Sequence, residues 1–290
     1  MRTSSEPVPS PEMSVTATAP LSANTTRRWL VLAGALFAVI IGQTQVLMGW
    51  GQSPAEFAAD SDATLRVAGF AFAIWGVIYA WLLVYAVRQA LPATAESPLL
   101  KALGWPSVAA LLAIGWWIVA AAFDWEIATI VLIFGALLVL LIPLLAGAAA
   151  IRALPRGDPD RWMTVWPLAL LAGWLSIAAP VNLLTVLTGN GDLPAALPPT
   201  AWALLAVAIV AVVALGVTAR LRTPAFALPV AWGLIGVFSA EQPGNPVLAF
   251  TALAAAIAVV VGAVILVFRL TPRDRATPDD VKADTSAPSR

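Results

Sequence analysis

Apolar side chains recur along the chain in long runs, and the polar stretches between them hold nearly all of the charge. A hydrocarbon core about 30 Å thick needs about 20 apolar residues per helix. The pattern therefore predicts eight membrane-spanning helices, near residues 29–49, 67–87, 102–123, 127–151, 162–187, 201–219, 224–240 and 247–268. The seventh is the weakest. The expected fold class is all-α, a polytopic bundle of about eight transmembrane helices.

The charges sort by connection. Every basic residue except Arg66 falls in a tail or an even-numbered loop, among them Arg27, Arg28, Arg88, Lys101, Arg152, Arg156, Arg161, Arg220 and Arg222. The opposite loops carry Glu56, Asp60, Asp62, Asp124, Glu126, Asp192 and Glu241. By the positive-inside rule both termini are expected in the cytoplasm. This alternation also supports the seventh span, since without it the basic cluster from Arg269 to Arg290 would lie outside. Residues 1–27 and 271–290, polar and without a core-forming pattern, are expected to be disordered cytoplasmic tails.

Composition narrows the chemistry. With 60% hydrophobic and 11% charged residues and a mean hydropathy of +0.88, the chain cannot clothe a water-facing surface, because a soluble domain is about one-quarter charged. The sequence has no His and no Cys, which removes imidazole and thiolate ligation of zinc, haem iron and iron–sulfur clusters, as well as thiol nucleophiles. A net charge of zero offers no field to attract nucleic acid. No Asp, Glu, Lys or Arg lies mid-span, which argues against an ion-coupled pump. The only lysines, Lys101 and Lys282, lie outside the spans, so a retinal Schiff base has no anchor. No phosphate-binding loop or nucleophile elbow is present.

Tryptophan is the positive signal, with 13 in the chain. Trp29, Trp50, Trp105, Trp125, Trp162, Trp166 and Trp202 fall at span ends, where an amphipathic indole belongs. Trp75, Trp81, Trp116, Trp117, Trp174 and Trp232 read as deeper, where the indole N–H needs a partner or a cavity. In span two, Phe72, Trp75 and Tyr79 are spaced to share one helix face. In span five, Pro180 cannot donate to the Ser176 carbonyl, so a bare carbonyl, the Ser176 hydroxyl and the Asn182 amide lie within two turns of Trp174. Both groups fit either a ligand site or an interhelical seam. Pro143 and Pro229 predict bends in spans four and seven.

These residues resemble the tryptophan-rich sensory protein (TspO/MBR, translocator protein) family in a longer form with extra helices. The anchors are Trp75 with Tyr79, a Trp-x-x-x-Tyr element; Trp174-x-Ser176 with Asn182; and Trp117 in the third span. The chain departs from the family at Ala71 and Ala73, where prolines are usual, and at Ile114, where an Asn is expected. The resemblance implies a five-helix unit over residues 28–190, followed by three additional helices over 191–270. It further implies a cavity that binds porphyrins and similar lipophiles, and a role in sensing or transport.

The ligand-binding residues expected on this basis are Phe72, Trp75, Tyr79, Trp116, Trp117, Trp174, Ser176 and Asn182, with the loop from Gly51 to Arg66 as a lid. No cofactor is required. A porphyrin or haem would be a ligand held by stacking, since the chain has no His. The expected partners are membrane lipid and a lipophilic small molecule, without nucleic acid, and the small residues of the spans allow a homodimer. The expected location is the bacterial inner membrane. Two other functions fit the sequence: a permease for a small neutral or lipophilic solute, and an integral-membrane enzyme using Asp124 and Glu126 on porphyrin or isoprenoid substrates.

Overall fold

The structure is a computed structural model, and it describes residues 23–59 and 64–269. Of the expected tails 1–27 and 271–290, residues 1–22 and 271–290 lie outside the described residues, as do Asp60 and Asp62, while residues 23–27 belong to the first helix. The regular elements of the described residues are all helices, with no strand among them.

The long helices are α1 (Ala23–Met48), α3 (Ile74–Ala90), α4 (Pro98–Ala122), α5 (Glu126–Ala146), α7 (Trp166–Gly189), α8 (Pro199–Leu221) and α10 (Pro246–Val264). Between them lie the short helices α2 (Pro54–Phe57), α6 (Ala148–Ala153) and α9 (Ala227–Glu241). A 3₁₀ turn, Gly69–Ala73, leads into α3, and a π-helical turn, Arg161–Val165, leads into α7. Together these give seven helices long and apolar enough to cross a membrane, plus the shorter apolar α9. The protein is an integral membrane helix bundle.

Helix starts follow a repeated local rule. Ser53-Pro54, Ser97-Pro98 and Asn245-Pro246 each place a side-chain oxygen on a free N–H of the first turn, followed by a proline whose missing N–H costs nothing there. At α1 the helix begins at Ala23, ahead of the expected residue 29, and Arg27 lies buried in its second turn. The run expected as one span over 127–151 is divided at Gly147 into α5 and α6. The Pro143 ring removes one helical bond in that turn, and the Gly147 amide donates to the Pro143 carbonyl at 2.9 Å.

The seventh apolar run forms a helix of 15 residues, about 22 Å at 1.5 Å per residue. One face of it, Leu228, Trp232 and Ile235, is exposed, while Val230, Gly233, Leu234 and Val237 are buried.

Helix α7 is the hub. Its span is 78% buried, against 22% for that of α10, and it packs on α3, α5, α8 and α9. Gly173 explains how α9 comes so close, because a Cβ there would run into the Phe226 carbonyl and the Pro229 ring. Around the hub, α1 packs on α3 and α4, α4 on α5, and α10 on α8 and α9.

Candidate functional site

The 3₁₀ turn at Gly69–Ala73 sets Phe72 one turn ahead of Trp75, so both reach the same side of α3. Facing them from α7 is Trp174, whose ring meets Phe72 edge-on (centroids 5.9 Å apart, planes at 82°) and Trp75 likewise (6.4 Å, 81°). Edge-to-face pairs put the positive rim of one ring against the negative face of the other. Trp117 of α4 closes the far side, edge-on to Phe57 of α2 at 6.2 Å.

Between these rings is an apolar pocket bounded by α3, α4, α5, α7 and α9 and roofed by α2. Its lining includes Pro54, Phe57, Phe72, Trp75, Ile114, Trp117, Ile133, Trp174, Ile177, Asn182 and Gly233. Asn182 is the one polar side chain in that wall. The free space at its centre is about 30 Å³, enough for a water-sized occupant and far below the roughly 300 Å³ typical of ligand sites.

Of the expected site residues, the structure brings Phe72, Trp75, Trp117, Trp174 and Asn182 into this wall. Three others stand elsewhere. Tyr79 lies beside Trp75 (centroids 5.1 Å apart), but its ring reaches toward α1, where a Cβ on Gly42 would come 2.8 Å from the phenol oxygen. Ser176 turns back along α7, its hydroxyl donating to the Gly173 carbonyl at 2.8 Å. Trp116 faces outward, 51% exposed, beside Trp125 and Val131. Adjacent positions on a helix point about 100° apart, so Trp116 and Trp117 cannot share one pocket.

The Asn182 amide is engaged on both atoms. Its Oδ1 accepts from the Trp117 indole at 2.9 Å, and its Nδ2 donates to Thr129 Oγ1 at 2.9 Å. Thr129 in turn donates to the Glu126 carbonyl. One buried amide thus joins α4, α5 and α7. Ile114, where the family pattern has an Asn, lies in the wall itself and makes it more apolar. Ala71 packs against α9: its carbonyl accepts the Trp232 indole at 2.9 Å, and a Cβ on Gly236 would come 2.8 Å from that of Ala71.

The loop over the pocket is pinned at several points. Gly51 adopts φ of +63°, and a Cβ there would meet the Ala122 carbonyl, which accepts the Gln52 amide at 3.1 Å. Ser53 and Glu56 form a reciprocal capping box at the start of α2. Its bonds, first from the Ser53 amide and then from the Ser53 hydroxyl, hold the Glu56 carboxyl below its usual 4.5. Farther on, Thr64 and Thr188 share a hydroxyl–hydroxyl bond of 2.7 Å. Glu241, buried at the end of α9, accepts the Arg66 amide at 2.8 Å and its guanidinium at 3.1 Å.

Sequence reasoning expected the loop from Gly51 to Arg66 as a lid, but it missed Phe57 within that loop and the α9 wall. Phe57 and Gly233 are single apolar positions in unremarkable surroundings; the only hint is that Trp232-Gly233 repeats the Trp75-Gly76 pair. Trp81, expected to be deep, instead donates its indole to the Trp162 carbonyl at 2.8 Å and lies beside Trp166 at the arginine-rich end. Asp124 and Glu126 border a different recess with Phe57 and Asn190, and Glu126 accepts the Asn190 amide at 2.6 Å. Among the described residues no group of three or more His, Cys, Asp or Glu is placed to hold a metal ion.

Comparison with curated proteins finds no match, and neither does comparison with solved structures. The family model described as TSPO-like protein matches residues 28–265, a stretch that runs from α1 to just past the end of α10. With the match covering most of the chain, and with its aromatic anchors Trp75, Trp117 and Trp174 gathered in one wall, this protein belongs to the TSPO-like protein family.

Proposed function

We propose that this protein is a membrane sensor or translocator that binds a flat lipophilic molecule, of the tetrapyrrole class, between Trp75, Trp117 and Trp174. The observation that carries the reading is the pocket lining: aromatic rings from three helices around an apolar space with a single amide. Such a wall favours a planar apolar ligand through area burial and ring contacts. Family membership supports the same reading. No cofactor enters the scheme, and a haem would be held by stacking alone.

The size of the pocket adds a condition. A macrocycle cannot enter a space of about 30 Å³, so binding requires the α2 roof to lift and its Phe57–Trp117 contact to part. We place the arginine-rich end in the cytoplasm, by the charge rule, and the roofed pocket toward the outer leaflet.

The test is titration of purified protein with protoporphyrin, followed through the absorbance of the porphyrin and compared with an unrelated membrane protein in the same detergent. Saturable binding that weakens at least tenfold in the Trp75→Leu/Trp174→Leu variant is expected. Non-saturable partitioning, or equal affinity in that variant, refutes the pocket. Flux into proteoliposomes then separates translocation from sensing.

A further inference from the structure

At the end of the bundle away from the aromatic pocket, α6, the entry to α7, the end of α8 and the end of α10 enclose a second recess of about 510 Å³. Four arginines line it, Arg152, Arg156, Arg161 and Arg222, together with Trp162 and Phe268. Three of them are held by backbone carbonyls. Arg152 donates to the Arg220 carbonyl at 2.7 Å, Arg161 to that of Leu154 at 2.8 Å, and Arg222 to that of Leu266 at 3.1 Å.

A carbonyl orients a guanidinium without cancelling its charge. The ion pairs formed among the described residues are Arg66–Glu241, Arg88–Asp160 and Lys101–Glu96, and none uses these four arginines. Of the neighbouring acids, Asp160 holds Arg88 and accepts from Ser97, while Asp158, which accepts the Asp160 amide, keeps its charge and offsets part of that of Arg161, so positive charge stays in excess. The recess therefore concentrates positive charge in a preset concave shape.

Its walls also carry apolar surface. Trp162 stacks on Trp166 at 4.7 Å and donates to the Arg156 carbonyl at 2.7 Å, which fixes the loop bearing Arg156. Phe268, 67% exposed, and Met163 beside Trp162 extend the apolar face onto the outer surface of the bundle. Basic pockets between transmembrane helices at the headgroup level suit phosphate-bearing lipids, and arginine forks match phosphate oxygens two at a time.

We propose that this recess is a binding site for a phosphate ester, and that its occupant is the headgroup of an anionic phospholipid, with phosphate among Arg152, Arg156, Arg161 and Arg222 and an acyl chain along Phe268. A soluble phosphate compound would use the same arginines but has no need of the apolar face. The site is separate from the aromatic pocket and does not depend on what that pocket binds.

The experiment melts the purified full chain in a zwitterionic detergent with added phosphatidylglycerol, phosphatidylcholine or inorganic pyrophosphate. Phosphatidylglycerol is expected to raise Tm by about 5 °C at saturating concentration, and phosphatidylcholine not to. Arg152→Gln/Arg156→Gln abolishes most of that rise, while Arg220→Gln, which removes a charge from the same end but outside the recess, keeps it. If the double variant melts much lower without lipid, the single Arg156→Gln carries the comparison.

Equal stabilisation by the two lipids, a full rise in the recess variant, or an equal loss in Arg220→Gln overturns the proposal. A rise with pyrophosphate and none with phosphatidylglycerol overturns the lipid as occupant.

Discussion

The Trp117 indole nitrogen donates to the Asn182 side-chain oxygen at 2.9 Å, across the boundary between α4 and α7. The bond makes one residue pair both wall and brace, because the ring borders the pocket while its N–H ties two helices together. Without water in the bilayer core, such a donor has few alternative partners. The ring orientation that shapes the pocket is thereby set by the amide.

Replacing Asn182 with Leu should strand the Trp117 N–H and remove the donor to the Thr129 oxygen, whose own bond to the Glu126 carbonyl remains. Interhelical bonds of this kind contribute about 0.6 kcal/mol on average and up to about 1.7 kcal/mol, so a loss of about 1–2 kcal/mol is expected in reversible unfolding in mixed micelles. A double-mutant cycle with Thr129→Ala should show non-additivity. Additive losses would mean that the Asn182–Thr129 bond is not formed.

Two glycines at the contact between α7 and α9 should respond differently to the same change. In Gly233→Ala the new methyl would lie 2.9 Å from the Ile177 side chain, which lines the pocket and must turn to make room. The variant should fold and lose ligand affinity. In Gly173→Ala the obstacle is the Phe226 backbone carbonyl, which cannot yield without moving α9. Overpacking of this type costs about 1–3 kcal/mol, read as a lower melting temperature before any ligand is added.

Acid should loosen the roof. The Glu56 carboxyl is held below its usual 4.5 by the two Ser53 bonds, so the folded pKa lies under the unfolded one. The capping box therefore contributes fully above the unfolded value and is lost as pH falls through the folded one. Amide exchange at Ser53, compared between native protein and Glu56→Gln across pH 3–6 after correction for intrinsic rates, should show the difference at the upper end and convergence at the lower. A constant difference would place the pH response elsewhere.

Glu241→Gln should speed ligand entry. The buried carboxylate holds both the amide and the guanidinium of Arg66, and hydrogen bonds to charged groups contribute about 1.5–3 kcal/mol. Weakening that anchor releases Arg66, the end of the loop that carries the roof, from α9. Stopped-flow mixing with porphyrin should give a faster association phase in the variant; an unchanged rate would show that the roof opens from its Gly51 end instead.

The helices were legible because lipid imposes a simple rule, a long apolar run for each crossing. Leu32 through Met48 or Ile127 through Ala146 admit no other reading. The pairing of Trp174 with Trp75 was legible only through the family resemblance, because spacing within one span does not say which helices meet. Three features were not. Ser176 and Asn182 look alike in sequence as polar groups near Pro180, and only the packing shows that one turns onto its own helix while the other joins three. Trp116 and Trp117 are neighbours, and their different fates depend on which face α4 presents to α7. Gly233 belongs to the pocket through a long-range contact of α9, for which no local pattern exists.

Helix α9 also makes the protein sensitive to the membrane around it. At about 22 Å, this element is shorter than a hydrocarbon core of about 30 Å, and its Leu228, Trp232 and Ile235 face is exposed along it. Mismatch costs fractions of a kcal/mol per Å, which the lipid meets by thinning or the helix by shifting along the membrane normal. Gly233 forms part of the pocket wall and Glu241 anchors the roof, so strain at this helix reaches both. Vesicles of short-chain and long-chain phosphatidylcholine should therefore give different ligand affinities for the same polypeptide, making bilayer thickness a variable that the pocket reads.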